Sequence, residues 1–80
     1  MQKVTLYTRS GCHLCDDAKR VLEAARAQSA FDLEEIDIDR HPEWRELYND
    51  EVPVIAIDGR KAFKYRVGKV EFLRKLEARA

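Results

Sequence analysis

Apolar and polar residues alternate from Lys3 to Thr8, with Val4 and Leu6 among β-favouring neighbours, and this period of two predicts a strand. Ser10-Gly11 interrupts it. From His13 to about Gln28 the period lengthens. Leu14, Ala18, Val21, Leu22 and Ala25 recur at helical spacing, and Ala, Arg, Glu and Lys fill the other positions. Phe31 to Asp39 alternates again, with Leu33, Ile36 and Ile38 interleaved among acids. A strand–helix–strand order with a crossover of this length predicts a parallel, right-handed unit.

The second half follows the same logic. Pro42 opens a short helix, since its missing N–H is harmless at the first helical position, and Trp44, Leu47 and Tyr48 supply an apolar face. Val52-Pro53-Val54-Ile55-Ala56-Ile57 is a continuous apolar run, as expected of a strand covered on both faces. Asp58-Gly59 is a strong hairpin signal, and Lys61 to Arg66 is the return strand. Gly68 introduces a last helix whose Val70, Phe72, Leu73 and Leu76 face the core. The predicted order is βαβαββα, an α/β domain over residues 1–80 with one four-stranded mixed sheet and helices on both faces. There is no internal repeat, low-complexity tract or linker.

With 45% apolar residues among 80, the chain can bury a core although it is short. The formal net charge of zero argues against a nucleic-acid binder. The charges are nevertheless segregated: Asp32, Glu34, Glu35, Asp37 and Asp39 form an acidic stretch, while Arg60, Lys61, Lys64, Arg66 and Lys69 have no acid among them. The basic run reads either as a solvated edge guarded against aggregation or as an attractor of an anionic partner, glutathione or an acidic protein face. No apolar run is long enough to span a membrane and no signal-peptide pattern is seen, so no membrane partner is expected and the expected location is cytoplasmic.

In that compartment thiols are kept reduced, which makes the two cysteines a matter of reactivity. A bridge between Cys12 and Cys15 closes so small a loop that chain entropy provides at most ~2 kcal/mol. The pair sits instead between a strand and the start of a helix, in Gly11-Cys12-His13-Leu14-Cys15. Unpaired backbone N–H groups and the positive end of the helix dipole there favour thiolate over thiol. The thiolate is the form that attacks disulfides, and a thiol so placed can fall well below the free value of about 8.5. Cys12, nearer the helix start and Arg9, is the candidate nucleophile, and Cys15, a turn inward, the resolving thiol. His13 is either a solvated helix-start residue or, as imidazolium, a stabiliser of the Cys12 thiolate. Asp16 and Asp17 are first-turn acids that complement the dipole. The alternative from another class is a non-enzymatic carrier that uses the cysteine pair to hold a metal or iron–sulfur centre across a dimer.

Tyr7 to Cys15, then Glu51-Val52-Pro53-Val54-Ile55 and Asp58-Gly59, resemble the glutaredoxin branch of thioredoxin-like proteins, in particular small members with a Cys-His-Leu-Cys site. The resemblance spans essentially the whole chain. It implies a thioredoxin-like fold and a dithiol–disulfide oxidoreductase of cell redox homeostasis and electron transport, with Cys12 attacking and Cys15 resolving. It implies that Val52-Pro53 is a cis-proline segment whose preceding backbone pairs with substrate, and that Arg9 approaches the thiolate. Tyr7 is either a half-buried strand residue or a ring flanking the site. Expected substrates are disulfide-containing proteins or glutathione mixed disulfides. Glutathione or a thioredoxin-reductase-type enzyme is the reductant, no resident cofactor or metal is needed, and the chain is read as a monomer. Two departures bear on glutathione: His-Leu stands where glutaredoxins have Pro-Tyr, and Phe63 to Lys69 replaces their Gly-Gly segment. Weak glutathione binding is therefore expected.

Overall fold

Strand β1 (Lys3–Thr8) is an interior strand of the sheet, and both its faces are covered. In the computed structural model, which describes residues 2–78, it is followed by α1 (His13–Arg26), β2 (Asp32–Asp37), a 3-10 turn (Ile38–Arg40), α2 (Pro42–Tyr48), β3 (Val54–Ile57), β4 (Arg60–Lys64) and α3 (Lys69–Ala78). The sheet order is β2-β1-β3-β4, with β1 parallel to β2 and antiparallel to β3, and β3 antiparallel to β4. The expected βαβαββα order and mixed sheet are both present.

Strand parity sorts the core into two layers. Val4, Leu6, Ile55 and Ile57 face α1 and α3, where they meet Ala18, Leu22, Ala25, Phe72 and Leu76. Thr5, Tyr7, Val54 and Ala56 alternate with them, and Tyr7, Val54 and Ala56 pack with Ile38, Trp44 and Tyr48 on the α2 side. All four residues of β3 are buried, which is why its sequence shows no alternation. Asp58 and Gly59 turn the chain at φ 50° and 83°, the pair of positive values a tight type I′ hairpin requires. Asp58 also braces the sheet: its carboxylate accepts the N–H of Lys3 at 2.9 Å, and its own N–H donates to the Lys3 carbonyl at 2.8 Å.

Several boundaries and faces differ from the pattern in the sequence. The second strand ends at Asp37 because that residue caps the 3-10 turn, its carboxylate accepting the N–H of Asp39 at 3.0 Å. Phe31 precedes β2 and is buried edge-on against Phe72, with ring centroids 5.4 Å apart. Val70 is 54% exposed, because the buried stripe of α3 is Phe72 and Leu76 and leaves Val70 on its rim. The register between β3 and β4 shifts at Ile55/Ala56, where Ile55 faces Phe63 and Ala56 faces Lys61. This irregularity lets the consecutive residues Ala62 and Phe63 both pack toward α1 and α3. β4 stops at Lys64 rather than Arg66, since the chain turns sharply at Tyr65.

Candidate functional site

Cys12 caps α1 rather than belonging to it. Its backbone is extended (φ −98°, ψ 108°) and its sulfur accepts the N–H of Cys15 at 3.1 Å. A side-chain oxygen usually fills this place; here sulfur satisfies one of the unpaired first-turn donors. Gly11, at φ 75°, makes the preceding turn without a Cβ in the left-handed region. The two sulfurs are joined as a disulfide, with Cα atoms 5.2 Å apart.

Helical spacing separates the two cysteines by exposure. Cys15, Ala18, Leu22 and Ala25 form the buried stripe of α1, so Cys15 continues the core and is 1% exposed. Cys12, at the cap, is only half-buried, and His13 is exposed. Leu14, expected on the apolar face, is half-buried beside the stripe and lines a surface groove. Asp17 is ion-paired with Arg20 one turn along.

The Val52-Pro53 peptide bond is cis, as the resemblance implies. Pro53 is buried, and its carbonyl accepts the N–H of Tyr65 at 2.8 Å. Val52 is half-buried, and among the described residues its N–H and C=O take part in no hydrogen bond. The loop before it is held from two sides. Glu51 donates its N–H to the Tyr48 carbonyl at 2.9 Å, and its carboxylate pairs with Lys61, whose ammonium lies 5.6 Å from the Tyr48 ring centre. That ion pair holds the Glu51 carboxyl below its usual range and raises Lys61.

Arg9, which the resemblance places near the thiolate, makes its hydrogen bonds with Asp39 and Asn49. Its Nε and Nη2 donate to the two carboxylate oxygens of Asp39 at 3.2 and 2.8 Å, and its Nη1 and Nη2 donate to the Asn49 carbonyl and Oδ1 at 3.0 and 2.8 Å. None of its hydrogen bonds reaches a sulfur of the disulfide. A planar guanidinium matches a carboxylate in two-pronged fashion, and Asp39 at the 3-10 turn presents one. The hydrogen bond with Asp39 raises Arg9 further and, reciprocally, lowers the Asp39 carboxyl.

Tyr7 lies deeper than the half-buried strand position expected of it. It is 8% exposed, with its ring centre 4.9 Å from both Trp44 and Tyr48. Burial, first, and the neighbouring Tyr48 and Glu34 raise its hydroxyl pKa. Trp44 and Tyr48 lie almost parallel with centroids 5.9 Å apart, so Trp44 is a packing residue. Sequence patterning marks neither Asp39 nor Asn49 as a partner of Arg9, since that cluster joins three separate segments. It is equally silent on Tyr65, because nothing local announces a positive φ (68°) on an aromatic residue. Among the described residues no group of three or more His, Cys, Asp or Glu side chains is arranged to hold a metal ion.

The chain matches the family model described as a glutaredoxin-like domain (DUF836) over residues 3–77. It is 32% identical to the Glutaredoxin-like protein YDR286C homolog of Dictyostelium discoideum, over 92% of this chain and 74% of that one. It superimposes on the X-ray structure of target protein XcR50 from X. campestris with a TM-score of 0.80 and 32% identity, covering 94% of this chain and 96% of that one. Chloroplastic thioredoxin z shares the fold at a TM-score of 0.81 with 14% identity, covering 98% and 77% of the two chains. A cysteine pair at the cap of a helix, a cis-proline segment before a hairpin and a mixed four-stranded sheet thus coincide with a family match along almost the entire length, and the chain belongs to the glutaredoxin-like (DUF836) family with a thioredoxin-like fold.

Proposed function

We propose that the protein is a dithiol–disulfide oxidoreductase in which Cys12 attacks and Cys15 resolves. The observation that carries this is the asymmetry of the pair: Cys12 is half-buried at a helix cap, while Cys15 is 1% exposed on the core side. An incoming disulfide can reach only the sulfur at the cap. In the reduced state that sulfur faces first-turn N–H groups and the positive end of the dipole, which stabilise its thiolate.

In the forward step the Cys12 thiolate attacks one sulfur of the substrate disulfide. That bond breaks, a Cys12–substrate disulfide forms, and the other substrate sulfur leaves as a thiolate and takes a proton from water. The Cys15 thiol then loses its proton to solvent and attacks the Cys12 sulfur, releasing the second substrate sulfur as a thiolate that takes a proton from solvent in turn. The substrate has gained two electrons and two protons, and the Cys12–Cys15 disulfide is formed. Two equivalents of a small thiol such as glutathione, or a thioredoxin-reductase-type enzyme, return the pair to the dithiol. No resident cofactor is required. The free N–H and C=O of Val52, beside the cis-proline, suit pairing with extended substrate backbone.

Trapping tests this reading. Cys15→Ser should accumulate a mixed disulfide with a disulfide substrate, because the resolving attack is removed, and Cys12→Ser should accumulate none. Capture by Cys12→Ser, or by neither variant, contradicts the assignment.

A further inference from the structure

The irregular register between β3 and β4 decides where Lys61 points. Ile55 faces Phe63, and an uninterrupted antiparallel ladder from that pair would set Lys61 opposite Ile57, in the layer under α1 and α3. The shift at Ile55/Ala56 sets it opposite Ala56 instead, on the α2 side, where Lys64 also lies opposite Val54. A bulge commonly re-aims a side chain in this way next to a functional site. Here it brings the Lys61 ammonium to the Glu51 carboxylate, 5.6 Å from the centre of the Tyr48 ring.

Glu51 immediately precedes Val52, whose N–H and C=O take part in no hydrogen bond among the described residues. Two contacts hold Glu51. Its N–H donates to the Tyr48 carbonyl at 2.9 Å, and its carboxylate pairs with Lys61, an attraction to which Lys64 adds. On the other side of Val52, Pro53 is buried and its carbonyl accepts the N–H of Tyr65 at 2.8 Å. Val52 is thus bracketed by two anchored residues while its own backbone groups stay unengaged. The Lys61 and Glu51 side chains are 40% and 29% exposed, so their pairing adds little to stability. What it fixes is the course of the chain entering Val52. Backbone that is already held does not have to be ordered at the expense of binding.

Resting on the oxidoreductase reading above, we infer that Lys61 is a positioning residue, which acts through Glu51 to hold the Val52 backbone ready for an extended substrate. The pair then sets the affinity for disulfides carried on a polypeptide. It has no bearing on small disulfides that offer no peptide groups to Val52. Nor does it bear on the thiol chemistry of Cys12, since neither side chain hydrogen-bonds to a cysteine.

The test uses two neutral substrates with dithiothreitol as reductant: 2-hydroxyethyl disulfide, and a disulfide-linked peptide with blocked ends and uncharged residues beside each cysteine. Neutral substrates remove any direct attraction by Lys61. Lys61→Met and Glu51→Ala should each raise KM for the peptide on the order of fivefold, with kcat unchanged, because ordering Val52 is now charged to binding. Neither should alter kcat/KM for 2-hydroxyethyl disulfide. The double variant should be no worse than either single one, since the two act as a unit, and Lys61→Arg should keep the parent KM. An unchanged peptide KM in Lys61→Met, or additive effects in the double variant, would overturn the inference. So would an equal loss on both substrates, which marks a general disturbance of the site. Failure of the parent protein to reduce even 2-hydroxyethyl disulfide would remove the oxidoreductase reading and this inference with it.

Discussion

The guanidinium of Arg9, at the end of β1, holds both carboxylate oxygens of Asp39, at 3.2 and 2.8 Å, and reaches on to Asn49 just after α2. One side chain thereby ties the carboxyl end of the strand before the disulfide loop to the 3-10 turn and to the segment that leads into Val52-Pro53. The arrangement makes Arg9 a brace that joins these three segments.

Breaking this brace should cost stability in a pH-dependent way. The Asp39 carboxyl is lowered by its bond to Arg9, so its contribution is present above the unfolded carboxylate value and disappears as pH falls through the folded one. Asp39→Asn should therefore lower Tm by a few degrees at neutral pH, and the gap to the parent protein should close in strong acid. A constant gap across the whole range, followed by thermal melts, would show that Asn disturbs packing rather than the ion pair.

Thiol reactivity should be unequal. In the reduced protein at mildly acidic pH, iodoacetamide should label Cys12 well before Cys15, since Cys12 is at the helix cap and Cys15 is 1% exposed. Mass spectrometry of the peptide holding both residues, with fragmentation to locate the label, reads the order directly. Faster labelling of Cys15 would reverse the assigned roles.

Glutathione should serve only at high concentration. The Lys64-Tyr65-Arg66 turn occupies the stretch where glutaredoxins have glycines, and its cations are exposed. Exposed ion pairs supply only ~1 kcal/mol or less and weaken with salt. The expected kinetics are a high apparent KM for glutathione that rises further with ionic strength. Saturation at low glutathione, insensitive to salt, would reveal a dedicated site.

Position 65 should invert the usual ranking of alanine and glycine. Both Tyr65→Ala and Tyr65→Gly delete the ring, but only glycine adopts φ 68° freely. Tyr65→Gly should be the more stable of the two by about 1 kcal/mol, measured as a higher urea midpoint at equal m-value.

Gly59 provides the opposite case. At φ 83° a Cβ would meet nothing within 4 Å, so its replacement carries a conformational cost with no clash. Gly59→Ala should lose about 1 kcal/mol or somewhat more in urea unfolding, with the fold unchanged by circular dichroism.

What the amino-acid order determined by itself is what local physics encodes. Period-two and helical runs mark each element, Asp58-Gly59 marks the hairpin through its two positive φ values, and Gly11-Cys12-His13-Leu14-Cys15 marks a cysteine pair between a strand and a helix. The all-apolar run through β3 already required cover on both faces, and the structure supplies it with α1 and α3 on one side and α2 on the other. Tertiary structure alone decided the relationships between segments distant in sequence. Arg9 found Asp39 and Asn49, thirty and forty residues away, because β1 and the two connections after β2 converge at one end of the sheet. Tyr7 became a core residue because Trp44 and Tyr48 close over it, and Val70 was left on the surface because α3 meets α1 through other positions. The turn at Tyr65 is the clearest instance. Its sequence predicts continued strand, and only the hydrogen bond to Pro53, formed once β3 and β4 are paired, holds an aromatic residue where local preference would place glycine.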